Sequence, residues 1–532
     1  MSESTLVERV RPLAPSVAVA LAAGVTGVLG AFGLVGFTPA FPVAPVESLL
    51  SRLMPGAVVT FAITVLGDVG QQLNLAFAGF LVVLLYAALV WVALGFRRQV
   101  NSPLMPVLGT VVLVWVGTAV LALDIMAASG AAAGAGLVVA VSEFAPAIGR
   151  FTGKPTTDGN GRRRALSALG TAAIAGAVGT AVGRTQTAGG PSGSGGSGGD
   201  SPDPEEMDLT YDVEQHLTTA MERSFDVSGM EPSISEKFFN VSISSVSPAI
   251  APPDWTLSVT GAVEEELELT YEDLQSMDHE HRFLTLRCVG EQLNGHKMDN
   301  ALWTGVPVAP IIQEASPTSD CECVMLRAEG DGFFEEFPLD ALEPGMLAYG
   351  MNGRPLPRDH GAPVRALVPG HWGEVNVKWL TEIEFLEREA DGYWEQRGWH
   401  GTGPVKTVAK LHGKERREDG QVVVGGHAYA GTRGVSAVEV STDGGDTWTE
   451  AELTERLPGA SGPAADVGGG GDSFAADAWR LWRYAYDPPD GPHEVVVRAI
   501  EDDGTVQTRE ETGPVPDGPA GWVSETIEPS RL

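Results

Sequence analysis

Uncharged apolar runs dominate the first third of this chain, and they admit few folded states in water. The runs cover 12–46, 53–67, 75–96, 103–123, 125–142 and 165–183. A helical span of a bilayer needs about 20 apolar residues, so the pattern predicts an all-α transmembrane bundle. Six spans would put Arg97, Arg98 and Arg162–Arg164 on the outer face, against the cytoplasmic preference of Lys and Arg. The segment 41–72, interrupted by Arg52, Pro55 and Asp68, is the weakest span. Read as an interfacial or re-entrant piece, it leaves five spans, at 15–37, 74–96, 104–126, 128–148 and 164–183. The N-terminus then faces the cytoplasm, and everything after 184 lies outside the membrane as an extracytoplasmic catalytic part. Arg163-Arg164-Ala165-Leu166, ahead of a mild Ala/Gly-rich segment, resembles a twin-arginine export signal placed internally. A positive-inside flank explains the same residues equally well.

Charge divides the chain just as sharply. Residues 1–190 hold 7 acids and 11 Lys/Arg, whereas the remainder holds 62 acids against 24 Lys/Arg. Those acids are interspersed with Trp, Phe, Val and Leu, which argues for a folded domain with an acidic surface over a disordered tail. Such self-repulsion is tolerable where salt screens it, so the composition is that of a halophilic protein. It excludes a nucleic-acid partner, because phosphate binding needs the opposite sign.

Residues 185–206 form a Gly/Ser/Pro linker. Beyond it, 207–400 mixes helical patches (205–223, 271–277, 308–315) with short strands (257–263, 283–289, 323–328), which predicts an α+β domain. Residues 401–532 carry alternating runs at 421–429, 435–440, 479–486 and 494–500, broken by Asp/Gly turns at the spacing of an all-β sandwich. The Gly/Ala-rich insertion 459–477 reads as a loose loop. All ten histidines follow the linker, so the membrane part has no imidazole pair to hold a haem. Of the three cysteines, Cys321 and Cys323 read as core packing without a disulfide or a metal, because no His or Cys lies near them in sequence.

Cys288 ends the apolar strand Phe283-Leu-Thr-Leu-Arg-Cys and is followed by Val-Gly. A lone cysteine in that position is more often a buried small hydrophobe. Downstream, in order, come Trp303-Thr-Gly-Val-Pro, Met351-Asn-Gly-Arg-Pro-Leu-Pro-Arg-Asp-His-Gly-Ala-Pro-Val-Arg, Val368-Pro-Gly and Val377-Lys-Trp-Leu. This ordered set resembles the molybdopterin domain of the sulfite oxidase family over about 236–400. The resemblance implies Mo-molybdopterin with one molybdenum, ligated by the thiolate of Cys288, a soft donor suited to it. It implies that Phe239, Asn240, Asp331, His360, Arg365, Asn376, Val377 and Lys378 hold the cofactor, the cations among them meeting its phosphate. It implies that Cys288, Asn240 and Trp399 form the reacting end. Gly426–Trp448 and Trp479-Arg-Leu-Trp are similar to the immunoglobulin-like dimerisation domain of the same family, so a homodimer is expected.

Three departures bear on the substrate. The arginines and the tyrosine that surround the anion in sulfite-oxidising members fall on Asn240, Leu293 and Trp399. Each lost charge-assisted hydrogen bond removes about 1.5–3 kcal/mol of anion binding. The expectation is therefore a membrane-anchored oxidoreductase transferring an oxygen atom to or from a small molecule other than sulfite. It would carry no haem of its own and would exchange electrons with a separate carrier or a quinone. The competing expectation is a cofactor-free cell-surface binding protein on the same scaffold. The joint presence of Cys288, His360, Arg365 and Lys378 speaks against that.

Overall fold

The computed structural model describes residues 14–95, 102–151, 210–330, 332–466 and 473–532. The chain separates into two compact units, residues 1–54, 66–192 and 242–249 in the first, and 55–65, 193–241 and 250–532 in the second.

The first unit is helical. Helices α1 (Ala14–Val35), α2 (Val43–Leu53), α3 (Asp68–Gly95), α4 (Leu104–Ala122) and α5 (Ile125–Phe151) carry it among the described residues. Four helices are long and apolar enough to cross a membrane, over Pro15–Val35, Val69–Gly95, Leu104–Ala122 and Ile125–Phe144. Their places match four of the five expected spans, while 164–183, the twin-arginine candidate and the linker 185–206 lie outside the described residues. Helices α1 and α5 meet through small residues. A Cβ on Gly30 would stand 2.3 Å from the carbonyl oxygen of Gly130, and one on Gly134 would stand 2.1 Å from that of Thr26. Lipid gives helices no hydrophobic drive to associate, so close backbone approach of this kind supplies the contact. Two acids are buried among the described residues of this unit, Glu47 and Glu143. Glu47 accepts from Nδ2 of Asn74 at 2.9 Å and from the backbone and hydroxyl of Ser245 at 3.1 Å each, so the short stretch 242–249 is pinned to α2.

The second unit is α+β followed by all-β. Strands β1 (Thr256–Gly261), β2 (Leu267–Thr270), β5 (Cys323–Ala328), β6 (Phe334–Pro338) and β10 (Leu380–Phe385) form a mixed sheet in the order β2-β1-β10-β5-β6. Helix Tyr271–Ser276 begins with a capping box from Thr270 and Asp273, which satisfies two otherwise orphaned backbone donors. A second sheet joins β3 (Glu280–Arg287), β4 (Met298–Pro307), β7 (Met346–Met351) and β8 (Arg354–Pro355), with β9 (Arg365–Leu367) also on β7. Strands β3 and β4 are buried along their whole length, including polar residues such as Glu280, Arg287, Asp299 and Asn300. The C-terminal sandwich packs a sheet built on β11 (Val422–Tyr429) and β13 (Arg480–Tyr486) against one built on β12 (Val435–Ser441) and β14 (His493–Glu501).

Two sequence expectations need correction. Cys321 and Cys323 form a disulfide, because the left-handed Glu322 (φ 49°) between them turns both side chains to one side. The insertion 459–477 is not loose where it is described. Ser461 exchanges backbone hydrogen bonds of 2.7 and 3.0 Å with His281, and Asp477 accepts 2.7 Å from the Tyr429 hydroxyl; residues 467–472 lie outside the described residues.

The α+β part and the sandwich are tied by a buried ion triad. Glu291 receives Nε of Arg287 at 2.8 Å and Nζ of Lys410 at 2.6 Å, all three side chains being almost fully buried. Arg287 also donates to the carbonyls of Lys406 (2.6 Å) and Pro519 (3.3 Å) and lies over Trp372. Burial opposes ionisation of Glu291, but Lys410 and then Arg287 outweigh it and leave the carboxyl below its usual range. Breaking one member of such a set leaves buried charge unpaired. Glu291→Gln is expected to lose about 3–5 kcal/mol, with part recovered in Glu291→Gln/Lys410→Met. Denaturant midpoints read by Trp fluorescence on the detergent-solubilised chain check this, and an unmoved midpoint would contradict it.

A second test uses Asp477, whose carboxyl is pushed up to about 7, first by burial. The unfolded chain loses that proton near its ordinary value of 3.8, so stability falls as pH rises between the two values and levels off above 7. Asp477→Asn removes this dependence. Its melting temperature relative to wild type should rise from pH 4.5 to pH 7 and then stay flat, the gain being about 2–4 kcal/mol. A pH-independent difference would refute the assignment.

Candidate active site

The site begins where β3 stops. Cys288 follows Arg287 directly, and its N–H donates to the Lys297 carbonyl at 2.9 Å, closing the turn that returns the chain into β4. The thiol is pushed up to about 11, by burial first and against the pull of Lys297. Left alone it would stay protonated at neutral pH, so a thiolate here needs a cationic centre bound to sulfur. A Cβ built on Gly290 would lie 3.6 Å from Cη2 of Trp399 and 3.9 Å from Sγ of Cys288. Trp399 and the sulfur thus lie in contact range of the Gly290 turn.

The loop expected to meet an anion lies against the same turn. A Cβ on Gly373 would lie 3.3 Å from the Arg287 carbonyl oxygen and 3.8 Å from Cα of Cys288. Asn376 uses its side chain internally, accepting from the N–H of Val368 at 2.7 Å and donating to the Trp372 carbonyl at 2.9 Å. The N–H groups of Asn376 and Val377 donate to Gly373 and Val375. The Asn376 carbonyl accepts Nη2 of Arg365 at 2.9 Å, and that arginine leads to the cationic cluster.

Arg365 is buried and also donates Nη1 to the His360 carbonyl at 3.1 Å, while its Nε has no partner. Burial lowers the guanidinium to about 9. His360 is lowered to about 4, by burial and then by Arg365 and Lys378. Gly361, at φ 110°, brings the two cations together, since a Cβ there would lie 2.9 Å from Cβ of Lys378 and 3.1 Å from Cβ of Arg365. No other residue fits that approach. Lys378 donates 2.7 Å to Oδ1 of Asn240 and sits over Trp379. Phe238 stands edge-on to both His360 and Trp303 at 5.5 Å and stacks on Phe239, whose N–H donates 2.6 Å to Asp299. The result is a basic, aromatic-lined cradle whose cations repel one another. A phosphate-bearing aromatic ligand meets both features, and the orphaned Nε of Arg365 is a donor awaiting one.

Of the residues expected from sequence, Cys288 and Trp399 converge on Gly290, while His360, Arg365 and Lys378 converge on Gly361. Asn240 is tied to the Lys378 end. Asp331 lies outside the described residues. Sequence reasoning missed Phe238, whose neighbour was expected, and Glu374, whose carboxyl is pushed up to about 8 by burial and then by Glu395. An acid inside the Gly373–Asn376 loop was the only signal available for it.

A thiol at a strand end, a tight loop packed beside it and a basic, aromatic-lined cluster characterise an α+β domain joined to a sandwich. Residues 244–394 match the family model for the oxidoreductase molybdopterin binding domain, and 405–515 match that for the Mo-co oxidoreductase dimerisation domain. Mitochondrial sulfite oxidase from Homo sapiens is 29% identical over 311 residues, covering 49% of this chain and 54% of that protein. The chain thus spans about half the length of the sulfite oxidases it matches. The uncharacterized oxidoreductase YuiH from Bacillus subtilis is 32% identical over 151 residues, covering 28% of this chain and 74% of that protein. The solved structure of the sulfane dehydrogenase SoxCD from Paracoccus pantotrophus is 18% identical, covers 63% of this chain and 94% of that one, and aligns with a TM-score of 0.44. The chain belongs to the sulfite oxidase-type family of molybdopterin oxidoreductases.

The cradle makes its own prediction. Arg365→Lys keeps the charge but loses the forked donation to His360 and Asn376, which is about 1.5–3 kcal/mol per charged bond. Molybdenum and pterin retained after gel filtration should fall at least tenfold, and the melting temperature of the fold should fall with them. Full retention of both would contradict the assignment.

Proposed function

We propose that this protein is a membrane-anchored, extracytoplasmic molybdopterin oxidoreductase that transfers an oxygen atom to or from a small molecule other than sulfite. The observation carrying this reading is the Gly373–Asn376 loop, which packs on the Cys288 turn at one side and accepts Arg365 of the His360–Arg365–Lys378 cluster at the other. One end offers a soft ligand for a metal and the other a cluster of cations for a phosphate.

When bound, the cofactor supplies a metal centre that accepts or returns two electrons as one oxygen atom moves. The chain's own residues do the rest. Cys288 fixes the metal through its sulfur, and Arg365 sets the loop height by holding the Asn376 carbonyl. His360, kept neutral by burial, and Lys378 would grip the phosphate end. Phe238 and Phe239 exclude water along the pterin. Asn376 and Val377 act through the loop they build, since their backbone donors are already engaged.

Sulfite is disfavoured because Asn240 and Leu293 stand at the places of its two cations and Trp399 at that of its tyrosine, and Asn240 is committed to Lys378. The Cys321–Cys323 disulfide fits an oxidising compartment, in line with the outward orientation inferred from the arginine flanks. The dense acidic surface fits a saline one. The match of 405–515 to a dimerisation domain supports a homodimer. Electrons would pass to a separate carrier or a membrane quinone.

Metal analysis of the full chain, purified after growth with molybdate, should give about one molybdenum per chain, and Cys288→Ser should give less than about a tenth of that. In the loaded wild type, sulfite-dependent ferricyanide reduction should run at least about a hundredfold more slowly than an enzyme ordinarily turns over its own substrate. Absence of molybdenum would sink the enzyme reading, and efficient sulfite turnover would sink the substrate reading.

A further inference from the structure

The space above Cys288 has a wall that comes from far away in the sequence. The same Cβ built on Gly290 that approaches Trp399 and Sγ of Cys288 lies 3.0 Å from Cγ2 of Ile63. Ile63 belongs to the segment Pro55–Val65, which contains no charged residue and joins α2 to α3 in the chain. That segment folds as the helical turn Gly56–Phe61 and the π-helical turn Ala62–Leu66, and π-turns of this kind occur mostly at functional sites. It clusters with the second unit.

Two contacts fix it there. Ile63 packs with Leu293 and Trp394 on the core that contains Val289 and Trp399. At the other end, a Cβ on Gly56 would stand 3.1 Å from both Cα and the carbonyl oxygen of Arg397, so only glycine lets the strap lie this close. Arg397 is itself set by its donation to the Tyr393 carbonyl at 2.7 Å and by its place over the Tyr393 ring. The strap therefore lies against both the cysteine loop and the 393–399 loop.

The chemistry of this wall is apolar. Ile63, Leu293, Trp394 and the ring of Trp399 pack together beside the cysteine loop, and the indole Nε1 of Trp399 is a buried donor with no partner among the described residues. An oxyanion entering here would shed water for apolar contacts and one neutral donor, which is unfavourable. An uncharged molecule would gain by burying its apolar surface and would offer its oxygen to the indole N–H.

We propose that Pro55–Val65 forms one wall of the substrate chamber and that Ile63 is a specificity-determining residue, selecting an uncharged oxo compound or its deoxygenated partner over an oxyanion. This rests on the reading of Cys288 as the metal ligand. In the reducing direction the balance is XO + 2 H⁺ + 2 e⁻ → X + H₂O, with the electrons from a reduced carrier. The oxidising direction is the reverse, with water as the oxygen source.

The test uses the full molybdenum-loaded chain in detergent, with Ile63→Ala and Ile63→Arg beside wild type. Molybdenum content is measured first: if the wild type holds none, the reading of Cys288 fails before this one is reached. With metal bound, the Mo(V) electron paramagnetic resonance signal is recorded against inorganic phosphate. The wild-type signal should be unmoved up to roughly 0.1 M phosphate, whereas Ile63→Arg should show a saturable phosphate-dependent shift, as a cation in the wall demands. With dimethyl sulfoxide as the uncharged probe and reduced methyl viologen as electron donor, Ile63→Ala should raise KM about three- to tenfold with kcat within about twofold, the pattern of lost uniform binding. A wild-type signal that shifts with millimolar phosphate would overturn the proposal. So would an Ile63→Arg signal as indifferent to phosphate as the wild type, whether or not dimethyl sulfoxide is turned over.

Discussion

The Arg287–Glu291–Lys410 triad sets the position of everything around the metal ligand. Arg287 ends β3 and Glu291 closes the next turn, so the pair brackets Cys288. Lys410 comes from the sandwich, and its Nζ reaches both Glu291 and the Gly295 carbonyl, the latter at 2.7 Å. A strand end is normally free to fray. Here its last residue is held by a carboxylate and by carbonyls of Lys406 and Pro519, so the sulfur sits on a rigid mount. Desolvating three charges is costly, and the geometry compensates only because nearly every donor has an acceptor. The sandwich is thus part of the site's support, whatever else its outer surface does.

A scarcity of cations runs through the rest of the second unit. Its surface is crowded with acids, and the cations around the site each have a task. Arg365 and Lys378 serve the cradle, Arg287 and Lys410 the mount. Burial also depresses a row of histidines. His427, lowered to about 3, stacks on Trp479, and His412, lowered to about 4, stacks on His296. These two rings behave as aromatic packing, not as titrating groups, near neutral pH. Neutral imidazoles near Lys410 spare Glu291 from competing partners.

Much of the fold was legible in the residues. The alternating runs at 435–440 and 494–500 became β12 and β14 because one face of each is buried and period two survives. The ordered pieces from Cys288 to Val377 marked the anchoring domain because turns and close approaches there, Gly361 above all, tolerate few substitutes. Other features were not legible. The Cys321–Cys323 bond depends on one left-handed residue, which spacing does not reveal. The role of Asn376 read as cofactor contact, whereas its amide is consumed in building the loop. The wall at Ile63 was invisible because nothing near 63 in sequence points to a residue beyond 280; only packing brings them together.

That last case shows why the segment 41–72 resisted reading as a span. Its charges and Pro55 make it a poor transmembrane helix, but its apolar residues still need burial. The chain meets both demands by burying Glu47 among Asn74 and Ser245 in the first unit and Ile63 among Leu293, Trp394 and Trp399 in the second. Gly56 permits the second contact by letting backbone meet backbone at Arg397. A stretch that merely linked two helices would require none of this. Because Ile63 packs against the core that holds Leu293, Trp394 and Trp399, a substitution there acts on the surroundings of Cys288, whereas Val58, Phe61 and Val65 beside it stay exposed.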